Sequence, residues 1–277
     1  MCIKVILKQK GLTKRKICIQ EIASLLDLSY GIKDKHDCLD EDQIGKDTVL
    51  YNNHRLARGI NVEIDNYDVL LTLYLPTSHD EIDLFYRLIE KICELLQKQF
   101  FIKNDELYHL EDIPICIKED TILSKDVLNS IYDKLVNHEI DQYVLFGVMQ
   151  PIYMGLKEFK EIRSDLNRLE EYLDRLQSID ISYAKPHIYK RKDNSLFGGY
   201  FIGEDIETII PIDPNILNEV HIEDWYVFFP EKKIMDYDFF ISHINTSYYD
   251  HNHGIICLSR NDVNELFDKK YDSLNTY

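Results

Sequence analysis

The chain has 277 residues, of which 45% are hydrophobic and 29% are charged, with only 10 glycines and 7 prolines. This composition excludes a disordered chain and suffices for one large domain or two ordinary ones. The formal net charge is −17, from 32 basic and 49 acidic residues. Such a balance opposes nonspecific binding to nucleic acid or anionic membranes, and it favours either solubility, the commoner role of an acidic surface, or a basic partner.

The spacing of the cysteines and the N-terminal residues indicate the cellular location of the protein. The six cysteines are widely and irregularly spaced, without a C-x-x-C pair: Cys2, Cys18, Cys38, Cys93, Cys116 and Cys257. This predicts reduced thiols and a cytoplasmic location. The apolar run in MCIKVILKQK is too short for a signal peptide or a membrane span, so no membrane association is expected.

The predicted N-terminal half, residues 1–138, alternates between strands and helices. Ser78 and Glu81 form a capping-box pattern that predicts the start of a long helix with an apolar stripe. The turn Asp65-Asn66-Tyr67 predicts an antiparallel hairpin between its flanking strands. The predicted strands are 2–8, 47–51, 59–65 and 68–75, the predicted helices are 21–28, 79–99 and 124–137, and 34–47 is a predicted loop.

The predicted C-terminal half, residues 143–277, follows a polar interval. It opens with an apolar run at 143–149, which predicts a buried strand, and continues with a charged helix over 156–177. Further strands are predicted at 182–190, 199–203, 206–210, 225–229 and 255–258, with helices at 236–244 and from Asn261. We therefore expect an α+β fold with largely antiparallel sheets, long amphipathic helices and two α+β halves packed together.

Several common catalytic and cofactor motifs do not occur in the sequence. The glycines at 198, 199 and 203 lack dinucleotide-loop spacing, and neither a P-loop nor a G-x-S-x-G elbow occurs. His138-Glu139 begins like a zinc-protease helix, but Gln142 stands where the second histidine is required. No catalytic residue, cofactor or metal is predicted from these patterns.

Two segments hold the candidate ligand or partner residues. Asp250-His251-Asn252-His253-Gly254 could supply two imidazoles to a metal, but turn formers dominate it, so an exposed polar turn is expected. His54, Arg55 and Arg58 form a cationic loop that could bind a carboxylate or phosphate, although pairing with neighbouring acids is the commoner role.

Five segments resemble a known family. They are LSYGI (28–32), RGINVEI (58–64), LPTSHDEIDLFYRLIEKIC (75–93), LFGVMQPIYMG (145–155) and DWYVFF (224–229). Together they resemble an uncharacterised family from Gram-positive bacteria, catalogued as a domain of unknown function. The resemblance implies a cytoplasmic bacterial protein without an assigned activity, and it supplies no catalytic residues.

The sequence favours a non-catalytic binding or interaction protein with an acidic surface, of an immunity-like or regulatory kind. The expected partner is a basic protein, and no nucleic acid is expected. The alternative is an enzyme with an unrecognised His/Asp/Arg site, with or without metal assistance, built from Asp250, His251 and His253 with Arg58. The oligomeric state stays open.

Overall fold

The computed structural model describes residues 1–9, 14–214, 222 and 224–274, with the side chains of 272–274 left out. It forms two compact units, Met1–Ile179 and Asp180–Tyr277. The boundary expected at 138–143 lies within the first unit, since Val148 is buried in one cluster with Val49, Tyr51 and Leu56.

The first unit is built on one antiparallel sheet. Its eight strands have the order β3-β2-β4-β5-β6-β1-β7-β8, and the predicted hairpin is confirmed as β5–β6, which pairs Asp65 with Asp68. A separate hairpin, β9–β10, replaces the single strand expected at 143–149. The strands are β1 Cys2–Leu7, β2 Ser29–Lys33, β3 Leu39–Glu41, β4 Thr48–Tyr51, β5 Ile60–Asp65, β6 Asp68–Tyr74, β7 Phe100–Lys103, β8 Glu106–His109, β9 Tyr143–Phe146 and β10 Pro151–Met154.

Helices complete the core of this unit. They are α1 Ile19–Ser24, α2 His79–Leu96, α3 Ile113–Val136, α4 Leu156–Ile162 and α5 Leu166–Gln177, with a 3-10 turn at Leu110–Asp112. The Ser78 side chain accepts a hydrogen bond from the Glu81 amide at 3.1 Å, which fixes the start of α2. The apolar stripe of α2, including Phe85 and Ile89, is buried together with inward-facing residues of β1, β5 and β6.

Two predicted helices differ from the structure. The helix expected over 124–137 begins earlier, at Ile113. Pro114 is compatible with this start because it lies in the first turn, where a missing N–H costs nothing. The helix expected over 156–177 is interrupted at Arg163, whose φ of 52° and ψ of −133° are not helical. The Asp165 side chain then caps α5 by accepting the amide of Asn167 at 3.0 Å.

The second unit contains two four-stranded sheets, ordered β11-β14-β18-β17 and β12-β13-β15-β16. Two of the described strand pairs, β11–β14 and β13–β15, are parallel, and the others are antiparallel. The strands are β11 Ser182–Tyr183, β12 His187–Lys190, β13 Leu196–Phe201, β14 Thr208–Pro211, β15 Asp224–Phe228, β16 Ile234–Asp236, β17 Ser247–Tyr248 and β18 His253–Ile256, and the helices are α6 Tyr237–His243, α7 Arg260–Leu274 and a 3-10 turn at Pro230–Lys232.

The chain thus has the expected α+β fold with mostly antiparallel sheets. Among the residues that the structure describes, every helix is too short or too polar to cross a bilayer.

Candidate binding sites

The loop between β4 and β5 carries three of the predicted site residues, and a buried carboxylate holds it in place. Glu81 Oε1 accepts the backbone amides of Arg58 at 3.0 Å and Gly59 at 2.6 Å, and Oε2 accepts the hydroxyl of Thr77. Gly59 has φ of 78°, and a Cβ there would lie 2.3 Å from a methyl of Val49. Burial raises the pKa of Glu81, and this effect outweighs the opposite effect of the hydrogen bonds from these donors. The second half of the predicted capping box is therefore replaced by contacts to this loop.

The loop does not present His54, Arg55 and Arg58 as one cationic patch. The His54 side chain is exposed, whereas Arg55 pairs with Glu170 at 3.0 Å and Asp80 at 3.5 Å beside a cavity of about 300 Å³. Burial raises the pKa of Glu170. Arg55 thus pairs with acids, the commoner of the two roles considered for this loop.

Arg58 is buried and lines a different cavity, of about 450 Å³. Its Nε donates to the carbonyl of Phe146 and its Nη1 to the carbonyl of Pro76, each at 3.3 Å. Its guanidinium carbon lies 5.6 Å from the centre of the Tyr74 ring. Among the described residues, Arg58 takes part in no ion pair.

The Asp250 segment of the second unit is a turn, as predicted, but its key side chains are not exposed. Asp250 Oδ1 accepts the amides of Asn252 at 2.9 Å and His253 at 2.8 Å, and it lies 2.9 Å from His253 Nδ1. The opposite ring nitrogen of His253 lies 3.0 Å from the hydroxyl of Tyr183 on β11. Asp250 and His253 are both buried, because His253 is the first residue of β18 and pairs with Pro211.

The expectation of an exposed polar turn is therefore wrong for Asp250 and His253, and right for His251, which is exposed. Among the described residues, no three His, Cys, Asp or Glu side chains are placed to hold a metal ion. Arg58, which was grouped with this segment as a possible enzyme site, belongs to the other compact unit.

A third feature, which the sequence did not predict, lies between the β7–β8 hairpin and α3. The hairpin turns at Asn104-Asp105, both with positive φ, and β8 forms one edge of the eight-stranded sheet. A cavity of about 550 Å³ opens between the hairpin and α3. We call this cavity and its lining residues the acidic groove; they are Lys103, Asn104, Glu106, Tyr108, Glu119, Asp120, Ile122, Leu123 and Asp126.

A buried ion pair forms the inner part of the acidic groove. Lys103 Nζ lies 2.8 Å from Asp120 Oδ1, and Asp120 Oδ2 accepts the hydroxyl of Tyr86. Burial, together with the charge of Asp120, raises the pKa of Tyr86 well above its usual range. Asp120 thereby neutralises the groove's lysine, so that the remaining carboxylates determine the charge of the groove.

The outer part of the acidic groove combines carboxylates with apolar surface. The side chains of Glu106, Glu119 and Asp126 are exposed, and none of them takes part in an ion pair between described residues. Ile122 is 51% exposed. The Asn-Asp pair between FFIK and ELYH could have indicated the hairpin from sequence, because Asn and Asp tolerate the positive φ that both central residues of a tight hairpin turn require. The contact of the hairpin with α3 had no local signal.

The structure thus describes an α+β protein with a buried arginine cavity and an acidic groove. A family model described as Domain of unknown function (DUF4299) matches residues 2–266. The chain belongs to this family, which confirms the expected membership in a domain of unknown function. No curated protein and no solved structure shows a significant match.

Proposed function

We propose that the protein is a bacterial, cytoplasmic, non-catalytic interaction protein that binds a basic segment of a protein partner in the acidic groove. The observation that carries this proposal is the set of exposed carboxylates at 106, 119 and 126 beside the exposed side chain of Ile122. A partner segment with lysine or arginine next to an apolar residue has the complementary chemistry.

Charge supports the choice of a basic partner. Lys103 is the only cationic side chain that lines the groove among the described residues, and Asp120 pairs with it at 2.8 Å. Glu106, Glu119 and Asp126 then leave a local negative excess within a chain of net charge −17. Such a field accelerates association with a basic partner and weakens as salt is added.

The fold also suggests how the partner binds. Strand β8 pairs with β7 on one side, and its other side is a sheet edge among the described residues. An extended segment added at this edge would place alternate side chains on the face that carries Glu106 and Tyr108. Backbone pairing would supply affinity, and the groove would select basic side chains.

The test uses the full chain and a synthetic peptide of alternating lysine and valine, with a glutamate–valine peptide as the control ligand. Fluorescence anisotropy should show binding of the basic peptide alone, with affinity that falls as salt increases. Hydrogen exchange should slow at 106–109 in the complex. The variant Glu119→Gln/Asp126→Asn should weaken binding by about tenfold or more.

A matched variant, Asp40→Asn/Asp42→Asn, also removes two negative charges, but it does so in and directly after β3, at the opposite edge of the sheet. It should bind like the unmodified protein. Equal losses in both variants would show a general charge effect and contradict the proposal. A dimer that only the groove variant dissociates would instead identify a second copy as the occupant, and would also overturn it.

The alternative prediction of an enzyme at Asp250 and His253 has one supporting observation. Asp250, His253 and Tyr183 form a continuous chain of short polar contacts, an arrangement that can polarise a hydroxyl. The same contacts also hold the turn to β11. The enzyme hypothesis therefore stays a prediction.

A further inference from the structure

The cavity beside Arg58 lies apart from the acidic groove and has a different charge distribution. It has a volume of about 450 Å³, within the range of small-molecule sites. Both Arg58 and Lys33 line it, together with three aspartates and the aromatic rings of Tyr74 and Phe146. Each of these groups limits the chemistry of a ligand.

Arg58 provides unused hydrogen-bond donors inside the cavity. A guanidinium has five N–H groups in a fixed planar arrangement. Two of them donate to carbonyls, of Phe146 and Pro76, so three have no partner among the described residues. The side chain is only 8% exposed, and buried arginines are normally paired with an anion. A ligand carboxylate would supply that anion.

Lys33 is a second cation in the cavity, but its donors are already engaged. Its Nζ donates to the carbonyls of Asp37 at 3.0 Å, Gly147 at 2.5 Å and Val148. These three acceptors match the three N–H groups of an ammonium. Lys33 therefore adds positive potential near Arg58 and holds the 147–148 backbone, while Arg58 has the free donors.

Three carboxylates bring the opposite charge to the same cavity. Asp34 and Asp37 are half-buried and Asp47 is exposed, whereas Arg58 is buried. The positive charge thus lies deep and the negative charge lies nearer to solvent. Three aspartates disfavour a multiply charged anion such as phosphate, and they favour a cationic group at the outer part of the cavity.

We propose that this cavity binds a small zwitterion of the α-amino acid class. The ligand's carboxylate contacts the Arg58 guanidinium, and its ammonium group lies toward Asp37 and Asp47. An apolar or aromatic side chain packs against Tyr74 and Phe146, which are 43% and 44% exposed. The proposal is independent of the acidic groove, since no residue lines both cavities.

Isothermal titration of the full chain with L-phenylalanine and L-leucine tests the proposal. At least one of the two should bind with a stoichiometry of one. Phenethylamine, which lacks the carboxylate, and 3-phenylpropionate, which lacks the ammonium group, should each bind at least about tenfold more weakly than L-phenylalanine, since each loses a charge-assisted contact. Inorganic phosphate should not compete.

Two variants assign the contacts. Arg58→Lys keeps the charge but loses the planar donor pair, and should weaken amino acid binding about tenfold or more. Asp47→Asn changes an exposed residue, so its folding should be unaffected; it should weaken the amino acid but not 3-phenylpropionate. Asp40→Asn, an exposed carboxylate outside the cavity, is the matched control.

Several results would overturn the proposal. They are the absence of binding by both amino acids up to about 10 mM, binding that Asp47→Asn leaves unchanged, and competition by phosphate. If Arg58→Lys does not fold, the comparison of Asp47→Asn with Asp40→Asn still decides the matter.

Discussion

Replacing Glu81 by alanine should detach the loop that carries Arg58 from the start of α2. The carboxylate accepts two backbone amides, from Arg58 and Gly59, at a position that is only 7% exposed. A buried amide left without an acceptor costs about 1–3 kcal/mol. The Thr77 hydroxyl can rotate to another acceptor, so we count only the two amides. Relief of the buried carboxylate's desolvation offsets part of the loss, which leaves a net destabilisation of about 2–4 kcal/mol.

Thermal unfolding and hydrogen exchange measure this effect. A loss of 2–4 kcal/mol should lower the melting temperature of a unit of this size by roughly 4–15 °C, and exchange should accelerate in peptides that cover 56–60. Glu81→Gln is the matched control, because its carbonyl oxygen can still accept both amides, and it should cost about 1 kcal/mol or less. A Glu81→Ala protein that melts within about 2 °C of the unmodified protein, with unchanged exchange at 56–60, would refute this reasoning.

Three further predictions follow from individual side chains. Ile89→Asp buries an unpaired carboxylate at a fully buried site and should cost more than about 3 kcal/mol in chemical denaturation, against about 1 kcal/mol for Ile89→Val. His253→Ala should cost about 1–3 kcal/mol by fluorescence of the single tryptophan, and the exposed His251→Ala less than about 0.5. Similar losses in both histidine variants would contradict the buried contacts. Burial lowers the pKa of Lys33 from 10.5 to about 8, so the unfolded chain binds more protons between these values. Stability relative to Lys33→Met should therefore rise across this window, by at most about 3 kcal/mol; a flat difference would refute it.

Sequence patterns predicted the elements whose signals are local. The stripe of α2 and the β5–β6 hairpin depend on residues within one turn or one hairpin, and both are found as expected. The capping box was only half correct for the same reason. Ser78 satisfies the amide three residues away, whereas the Glu81 carboxylate binds amides more than twenty residues away. A local pattern contains no information on that contact.

Burial of polar residues was the main failure of prediction. Asp250-His251-Asn252-His253-Gly254 has the composition of an exposed turn, but the pairing of β18 with β14 places His253 inside. The β7–β8 hairpin was missed because each strand has only four residues and β8 is polar and mostly exposed. Lys103 and Asp120 likewise gave no sign of burial, since their pairing depends on how α3 packs against the hairpin.

Net charge also fails to locate sites in this chain. Arg55 and Arg58 are three positions apart in one loop of a protein with an excess of seventeen acidic charges. Arg55 is neutralised by Glu170, whereas Arg58 has no ion pair with a described residue, because Glu81 uses its oxygens on the loop backbone instead. Glu81, on α2, thus stabilises this loop through its backbone and leaves the guanidinium's remaining donors open to the cavity. A buried cation without a carboxylate partner in an acidic protein is costly to stability, and that cost is the physical reason for assigning Arg58 to a ligand.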